Sequence, residues 1–256
     1  MERTFITAGG VRLESATWGE RVPGRPTLVF LHEGLGSVSL WRDFPQRVAA
    51  ATGLPAFAYS RRGYGASDGI QPPRPLDMLE REAALLPEVL AAAGLGPVLL
   101  VGHSDGASIA LLHAASGAAG LLGVAVLAPH SFVEDITVSS IAAAAEAYRA
   151  GPLRERLARH HGENVDGAFW GWNRVWLDPG FRGWDIRPRL AAIGVPLLVI
   201  QGEDDEYGTA AQVEAIGAAV PPARILMLPA CGHSPHRDQP EATLAAIAAF
   251  VAEICR

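Results

Sequence analysis

Gly102-His103-Ser104-Asp105-Gly106 has the form G-x-S-x-G, and its setting decides how the rest of the chain is read. Before it runs Pro97-Val98-Leu99-Leu100-Val101, a short apolar and partly β-branched run that predicts a buried strand. After it, Ala107 to Ala115 is rich in Ala and Leu without a breaker and predicts a helix. Ser104 therefore stands on a sharp corner between a strand and a helix. The flanking glycines fit a corner that leaves no room for Cβ atoms. Five small residues recur by chance, so the motif alone says little; in a strand-turn-helix setting it marks a nucleophile elbow.

Further runs like the one before Ser104 lie on both sides of it. Thr27-Leu28-Val29-Phe30-Leu31-His32, Leu54 to Tyr59, Gly123 to His130, Val195 to Gln201 and Arg224 to Leu228 all predict strands. Helical patterns at Leu40 to Ala51, Leu76 to Ala93, Thr209 to Val220 and Glu241 to Ile254 alternate with them. A hairpin is expected at the start, Thr4 to Thr7 and Val11 to Trp18 around Gly9-Gly10. This alternation argues for an α/β fold with βαβ units and a parallel sheet. It stops from about Phe132 to Arg189, where no apolar strand is seen. That stretch holds helical patterns at Ser139 to Arg149 and Leu153 to His161, then Phe169, Trp170, Trp172, Trp176 and Trp184. It reads as a small helical subdomain inserted into the sheet domain.

The composition narrows the partners. The net charge is −6 over 256 residues, 49% of them hydrophobic, and all 21 basic residues are arginine. No basic block points to nucleic acid or an anionic membrane, and no lysine chemistry is open. Cys231 and Cys255 form neither a disulfide framework nor a metal cluster. No apolar run reaches the ~18 residues of a membrane span. Met1-Glu2-Arg3-Thr4 lacks the apolar core of a signal peptide, so the expected location is the cytoplasm.

A serine hydroxyl needs a base in hydrogen-bond reach, and the base needs an acid to orient it. In a parallel sheet the loops after the strands emerge at one edge. His233, in the loop after the last strand, is the expected base. His236, three residues on in the same loop, is the second candidate base and reads rather as a surface histidine, and His103 is expected to turn away from the serine. The acid is sought in Gly202-Glu203-Asp204-Asp205-Glu206, with Glu134 and Asp135 as the other location. The order Ser104, Asp205, His233 fits the elbow architecture. Acyl transfer also needs two backbone N–H groups for the oxyanion. Asp105, at the helix start, and Gly34, in the glycine loop after the first long strand, are the candidates. Tyr207 and Arg61-Arg62 read as structural.

Together these stretches resemble the α/β-hydrolase superfamily. G-H-S-D-G, the H-E-G-L-G loop from His32, the R-R-G-Y-G-A-S turn from Arg61, the G-E-D-D turn from Gly202 and G-H-S from Gly232 follow the superfamily's order, covering nearly the whole chain. The resemblance implies an α/β-hydrolase fold: a mostly parallel central sheet flanked by helices, with residues 1–132 and 190–256 as core and 133–189 as an inserted helical cap. It selects Asp205 over Asp204 as the acid. Glu33 stands where many members carry glycine, and it is expected to point to solvent. The cap aromatics Trp170, Trp172 and Trp176 are expected to shape the substrate site. The implied activity is hydrolysis of small or medium apolar carboxylic esters through an acyl-enzyme, with no cofactor and no metal, on a small-molecule substrate. A carbon–carbon bond hydrolase of a dienoic keto acid is the second reading. It needs a polar site for the acid end, for which Asn173, Arg174 or Arg182 are candidates. A non-catalytic hydrolase-like binding protein is the third.

Overall fold

The computed structural model describes residues 2–256, without the side chains of Glu2 and Arg3. Met1, the first residue of the segment read as lacking a signal peptide, lies outside the described residues. Eight strands form one sheet: β1 (Glu2–Ala8), β2 (Val11–Trp18), β3 (Thr27–Leu31), β4 (Ala56–Tyr59), β5 (Val98–His103), β6 (Leu121–Leu127), β7 (Leu197–Gly202) and β8 (Arg224–Leu228). Their order is β1-β2-β4-β3-β5-β6-β7-β8. β1 and β2 form an antiparallel hairpin, β2 meets β4 antiparallel, and every pairing from β4 to β8 is parallel. β3, β4, β5 and β7 are buried along their whole length, which is why they read as continuous apolar runs rather than alternating ones.

The helices are α1 (Phe44–Thr52), α2 (Met78–Ala92), α3 (Asp105–Ala115), α4 (Asp135–Ala150), α5 (Leu153–His161), α6 (Val165–Trp176), α7 (Arg187–Leu190), α8 (Ala210–Ala219), α9 (Pro235–Asp238) and α10 (Pro240–Ile254). α2, α3 and α8 pack with the helices that follow β6 into one apolar core, and α1 and α10 cover the other face of the sheet. The helix expected over Leu40 to Ala51 is split. A single 3-10 turn, Val38–Trp41, ends at Arg42, whose φ is 55°, and α1 restarts with Pro45 in its first turn, where a missing N–H costs nothing. α4 to α7 fill the interval between β6 and β7. Its two ends meet: Phe132 and Asp185 form an isolated antiparallel bridge, and Ile186 N–H donates to Ser131 O at 2.8 Å. Among the described residues no helix is long and apolar enough to cross a membrane.

The parallel registers align the carboxyl ends of the strands. Leu31 pairs with Tyr59 and Gly102, His103 with Leu127, Leu127 with Ile200, and Gly202 with Leu228. The segments that follow, carrying Glu33-Gly34, Arg61, Ser104, His130, Asp205 and His233, therefore leave the sheet side by side.

Candidate active site

The elbow is built by sterics. Ser104 has φ 53° and ψ −119°, a conformation that costs a non-glycine residue about 1–3 kcal/mol. It persists because its neighbours leave no alternative. A Cβ on Gly106 would overlap the Leu31 carbonyl, and one on Gly102 would overlap the backbone of Gly106 and Ala107. Ser104 N–H is fixed to Leu127 O at 2.9 Å. The hydroxyl is thus raised at the start of α3.

Ser104 Oγ lies 2.9 Å from His233 Nε2, and His233 Nδ1 donates to Asp205 Oδ1 at 2.8 Å. Two loops zip together to place that pair: Glu203 N–H donates to Leu228 O and Asp204 N–H to Cys231 O, both at 2.9 Å. Asp205 is buried, and its Oδ1 also accepts Tyr207 N–H at 2.8 Å and Gly208 N–H at 3.2 Å. Burial alone would push its carboxyl up, but the His233 hydrogen bond, His233's charge and the Tyr207 amide hold it below the usual range. Asp205 therefore stays an acceptor that fixes the His233 tautomer, leaving Nε2 free to take a proton. The other acid candidates do different work. Glu134 accepts from Thr209 and Gln212, and the exposed Asp135 pairs with Arg182.

Ser104 opens into a cavity of about 100 Å3. Its walls are Glu33, Gly34, Leu35, His103, Asp105, His130, Ile141, Trp172, Trp176, Tyr207, His233 and Ser234. The amides of Gly34 and Asp105 find no protein acceptor among the described residues. Trp172 lies against Gly34 so closely that a Cβ there would fall inside the indole. Trp176 donates its Nε1–H to Asp105 Oδ1 at 3.2 Å. Burial pushes the Asp105 carboxyl up, although Arg61 and the Trp176 N–H pull it the other way.

Several sequence expectations are corrected here. Trp170 does not line the cavity. It sits on the outer side of α6, with the guanidinium groups of Arg149 and Arg174 stacked on its ring. Trp172 and Trp176 are four residues apart and share the inner face, whereas Trp170 is two residues from Trp172 and so nearly opposite. Glu33 does not point to solvent: its side chain is 18% exposed, with Oε2 3.6 Å from His103 Nδ1 and Oε1 3.6 Å from Arg237. Burial works against its charge, but His103, Arg237 and His32 hold its carboxyl well below the usual range. His103 is not turned away. It donates Nε2–H to His233 O at 2.7 Å and forms part of the cavity wall. His236 is not on the surface: its ring is 5% exposed, packed on Trp41 and Phe44, with neither nitrogen hydrogen-bonded.

His130 is a site residue that the sequence reading above does not single out. It is 2% exposed and its ring lies 5.6 Å from His233; burial first, then the charge of His233, lowers its pKa to about 3. It follows β6 at the same sheet edge as Ser104, so the rule that picked out His233 applied to it too. Tyr207 sets its ring 4.7 Å from that of His233, tilted by 41°, and closes another side. Ile141, in α4, carries no sequence signal that separates it from an ordinary core residue. Among the described residues no cluster of metal-ligating side chains is present.

Residues 28–247 match the sequence model of a family described as the alpha/beta hydrolase family. Among curated proteins, the 2-succinyl-6-hydroxy-2,4-cyclohexadiene-1-carboxylate synthase of Enterobacter sp. (strain 638) is 29% identical, over 91% of this chain and 93% of that relative. The enol-lactonase from Burkholderia xenovorans superposes with a TM-score of 0.75 at 21% identity, covering 97% of this chain and 100% of that one. A thermophilic esterase from Thermogutta terrifontis gives 0.72 at 20% identity, covering 99% of each chain.

Proposed function

The chain belongs to the alpha/beta hydrolase family, and from that premise we propose that it is a serine hydrolase of small, uncharged carboxylic esters. Ser104 Oγ attacks the ester carbonyl while His233 Nε2 takes its proton. The resulting oxyanion is held by the amides of Asp105 and Gly34. His233 returns the proton to the departing alkoxide, leaving an acyl group on Ser104. A water then repeats the sequence, with His233 again as base, and releases the carboxylic acid. Asp205 keeps the imidazole oriented and offsets the imidazolium that forms twice in the cycle.

The observation that carries this reading is the hydrogen-bonded chain Ser104–His233–Asp205 opening into a cavity walled by aromatics and carboxylates. No arginine lines it, and Glu33 and Asp105 do. An anionic acyl group would face these carboxylates directly, while the nearest guanidinium groups, Arg237 at 3.6 Å from Glu33 and Arg61 at 3.8 Å from Asp105, stand behind them and are already engaged, which disfavours it. The relative named a cyclohexadiene-carboxylate synthase has a product with acid groups, which this wall suits poorly. The residues offered for the acid end of a keto acid lie elsewhere. Asn173 Nδ2 donates to Ile141 O, Arg174 stacks on Trp170, and Arg182 pairs with Asp135. At about 100 Å3, the cavity is also well below the ~300–1,000 Å3 of pockets for larger ligands, which favours a short acyl group.

The test is a panel of nitrophenyl acetate, butyrate and octanoate beside a meta-cleavage keto acid, with Ser104→Ala as control. The acetate should be turned over best, and Ser104→Ala should lose about 10³-fold or more in kcat. Faster turnover of the keto acid than of any ester would overturn the reading. So would failure of an organophosphonate to label Ser104.

A further inference from the structure

Arg61 follows β4, and its side chain is 5% exposed. Its Nη1 donates to His32 O at 2.7 Å and its Nη2 to Glu33 O at 3.0 Å. The same guanidinium faces Asp105 Oδ2 at 3.8 Å. Its backbone N–H donates to His32 Nε2 at 3.1 Å, so His32 carries its proton on Nδ1 and gives it to Glu33 O at 2.7 Å. Gly36 N–H reaches that same oxygen at 3.0 Å. The Glu33 carbonyl is thus gripped by three donors.

A trans peptide points its C=O and the following N–H in opposite directions. Pinning the Glu33 carbonyl therefore turns the Gly34 N–H the other way, away from Arg61. The Asp105 amide is set by the elbow, and its side chain faces the residue that pins the Glu33 carbonyl. Burying a guanidinium and a carboxylate together carries a desolvation cost, so a neutral donor would serve better if only one loop carbonyl had to be held. A guanidinium suits two divergent carbonyls and a carboxylate at once, which the point charge of a lysine does not.

We propose, resting on the serine-hydrolase reading above, that Arg61 is a positioning residue that locks the two oxyanion amides into register. It orients the Gly34 amide through the Glu33 carbonyl, and the Asp105 carboxylate holds it in place. Arg61 touches no substrate; it acts through the peptide it grips. His32 and Gly36 still grip that carbonyl when Arg61 is lost, so the loss is smaller than that of a whole oxyanion donor, which costs about 10²–10³ in kcat.

The experiment compares Arg61→Met, Arg61→Lys and the double variant Arg61→Met with Asp105→Asn. Each is assayed for nitrophenyl acetate kinetics, organophosphonate labelling of Ser104 and thermal midpoint. Asp105→Asn keeps the backbone amide and the acceptor for Trp176, and removes the buried charge that Arg61→Met would strand. Arg61→Met and the double variant should each lose about 10- to 100-fold in kcat with KM within threefold. Arg61→Lys should lose about tenfold. Labelling should slow in parallel, because its adduct also places an oxygen between the two amides. If Arg61 serves only to neutralise Asp105, the double variant returns to within threefold of wild type, and the proposal is wrong. It is equally wrong if KM rises while kcat holds. Should the methionine variants fail to fold, Arg61→Lys decides: a kcat within threefold of wild type overturns the proposal, and a tenfold loss with an unchanged thermal midpoint supports it. A wild-type enzyme that neither turns over the ester nor is labelled at Ser104 sinks the serine-hydrolase reading, and this proposal with it. A labelled, active wild type with unaffected variants sinks only the role of Arg61.

Discussion

Acidification should destabilise this protein from pH ~6.5 downward, because His32, His130 and His236 are buried neutral. His32 is fully buried, and its Nε2 accepts the Arg61 N–H, a bond that a proton there would destroy. Burial and then the Arg61 charge hold its pKa well below the ordinary value. His130 is lowered to about 3, and His236, with no partner on either nitrogen, lies well below the ordinary value through burial and then His103. In the unfolded chain each ring takes up a proton near pH ~6.5, and in the folded protein none does. Below that pH the unfolded state therefore binds more protons, and stability falls as pH falls. Each ring contributes about 1.4 kcal/mol per pH unit once well below its unfolded pKa. Between pH ~6.5 and ~5 that amounts to about 1.6 kcal/mol per ring, or about 5 kcal/mol for the three. A domain stable by only ~5–15 kcal/mol loses a third or more of its margin over that interval. Denaturant midpoints followed by circular dichroism across this range, at constant m, measure the slope directly. His236→Leu removes one of the three rings without touching a hydrogen bond. It should flatten the slope by about 1.4 kcal/mol per pH unit and raise stability at pH ~7.5 by about 1 kcal/mol. Identical slopes for wild type and His236→Leu, or an NMR titration of His236 near pH ~6 in the folded protein, would refute the reasoning.

Three further outcomes are expected. Gly34→Ala puts a Cβ into the Trp172 indole and should lower kcat on short esters about 100-fold, with partial recovery when Trp172→Ala is added; steady-state kinetics on the three proteins decide it. Trp172→Ala alone opens the cavity and should move the kcat/KM ratio of butyrate to acetate by about tenfold toward the longer chain, whereas an unchanged ratio would mean that Trp172 does not bound the acyl site. Gln212 is fully buried and bonds Ser131 N–H, Ser131 Oγ, Phe132 O and Glu134 Oε2. Gln212→Ala should therefore cost about 2–4 kcal/mol in urea denaturation, and a cost near zero would show that the entrance to the α4–α7 segment is not held there.

The inner strands were legible because a parallel sheet buries them on both faces, and β7 differs from the sequence reading only at its ends. The half-exposed edge strand β8 also runs Arg224–Leu228 as expected, on the apolar run from Ile225 to Leu228. The break at Arg42 was hidden because the ring contacts around it are tertiary: Trp41, just before the positive-φ turn, lies edge-on to Phe30 and stacked on Phe44, just after it. At the site, the residues brought together by aligned strand ends were readable from position alone. His233 was identified that way, and His130 could have been. The neighbourhood of Glu33 was not readable, since it depends on His103 from β5 and Arg237 from α9 reaching the same carboxylate. His236 was misplaced because α9 is too short for a periodic pattern to reveal which face is inward. Trp170 was misplaced for a simpler reason: helical spacing along α6 separates it from Trp172 and Trp176, and that spacing was there in the sequence.

The bridge between Phe132 and Asp185 has a bearing on how such a protein can change over evolutionary time. The chain leaves the sheet domain and re-enters it at neighbouring points, closed by Ile186 N–H on Ser131 O. A cassette with adjacent ends can be lengthened, shortened or exchanged by recombination with little disturbance of its host, since doubling a closed loop costs only about 0.6 kcal/mol in entropy. Ile141, Trp172 and Trp176 all ride on that cassette, while Ser104, Asp205 and His233 stay behind. New cavity walls can therefore arrive as a single block of sequence and dock onto a sheet edge that has not moved.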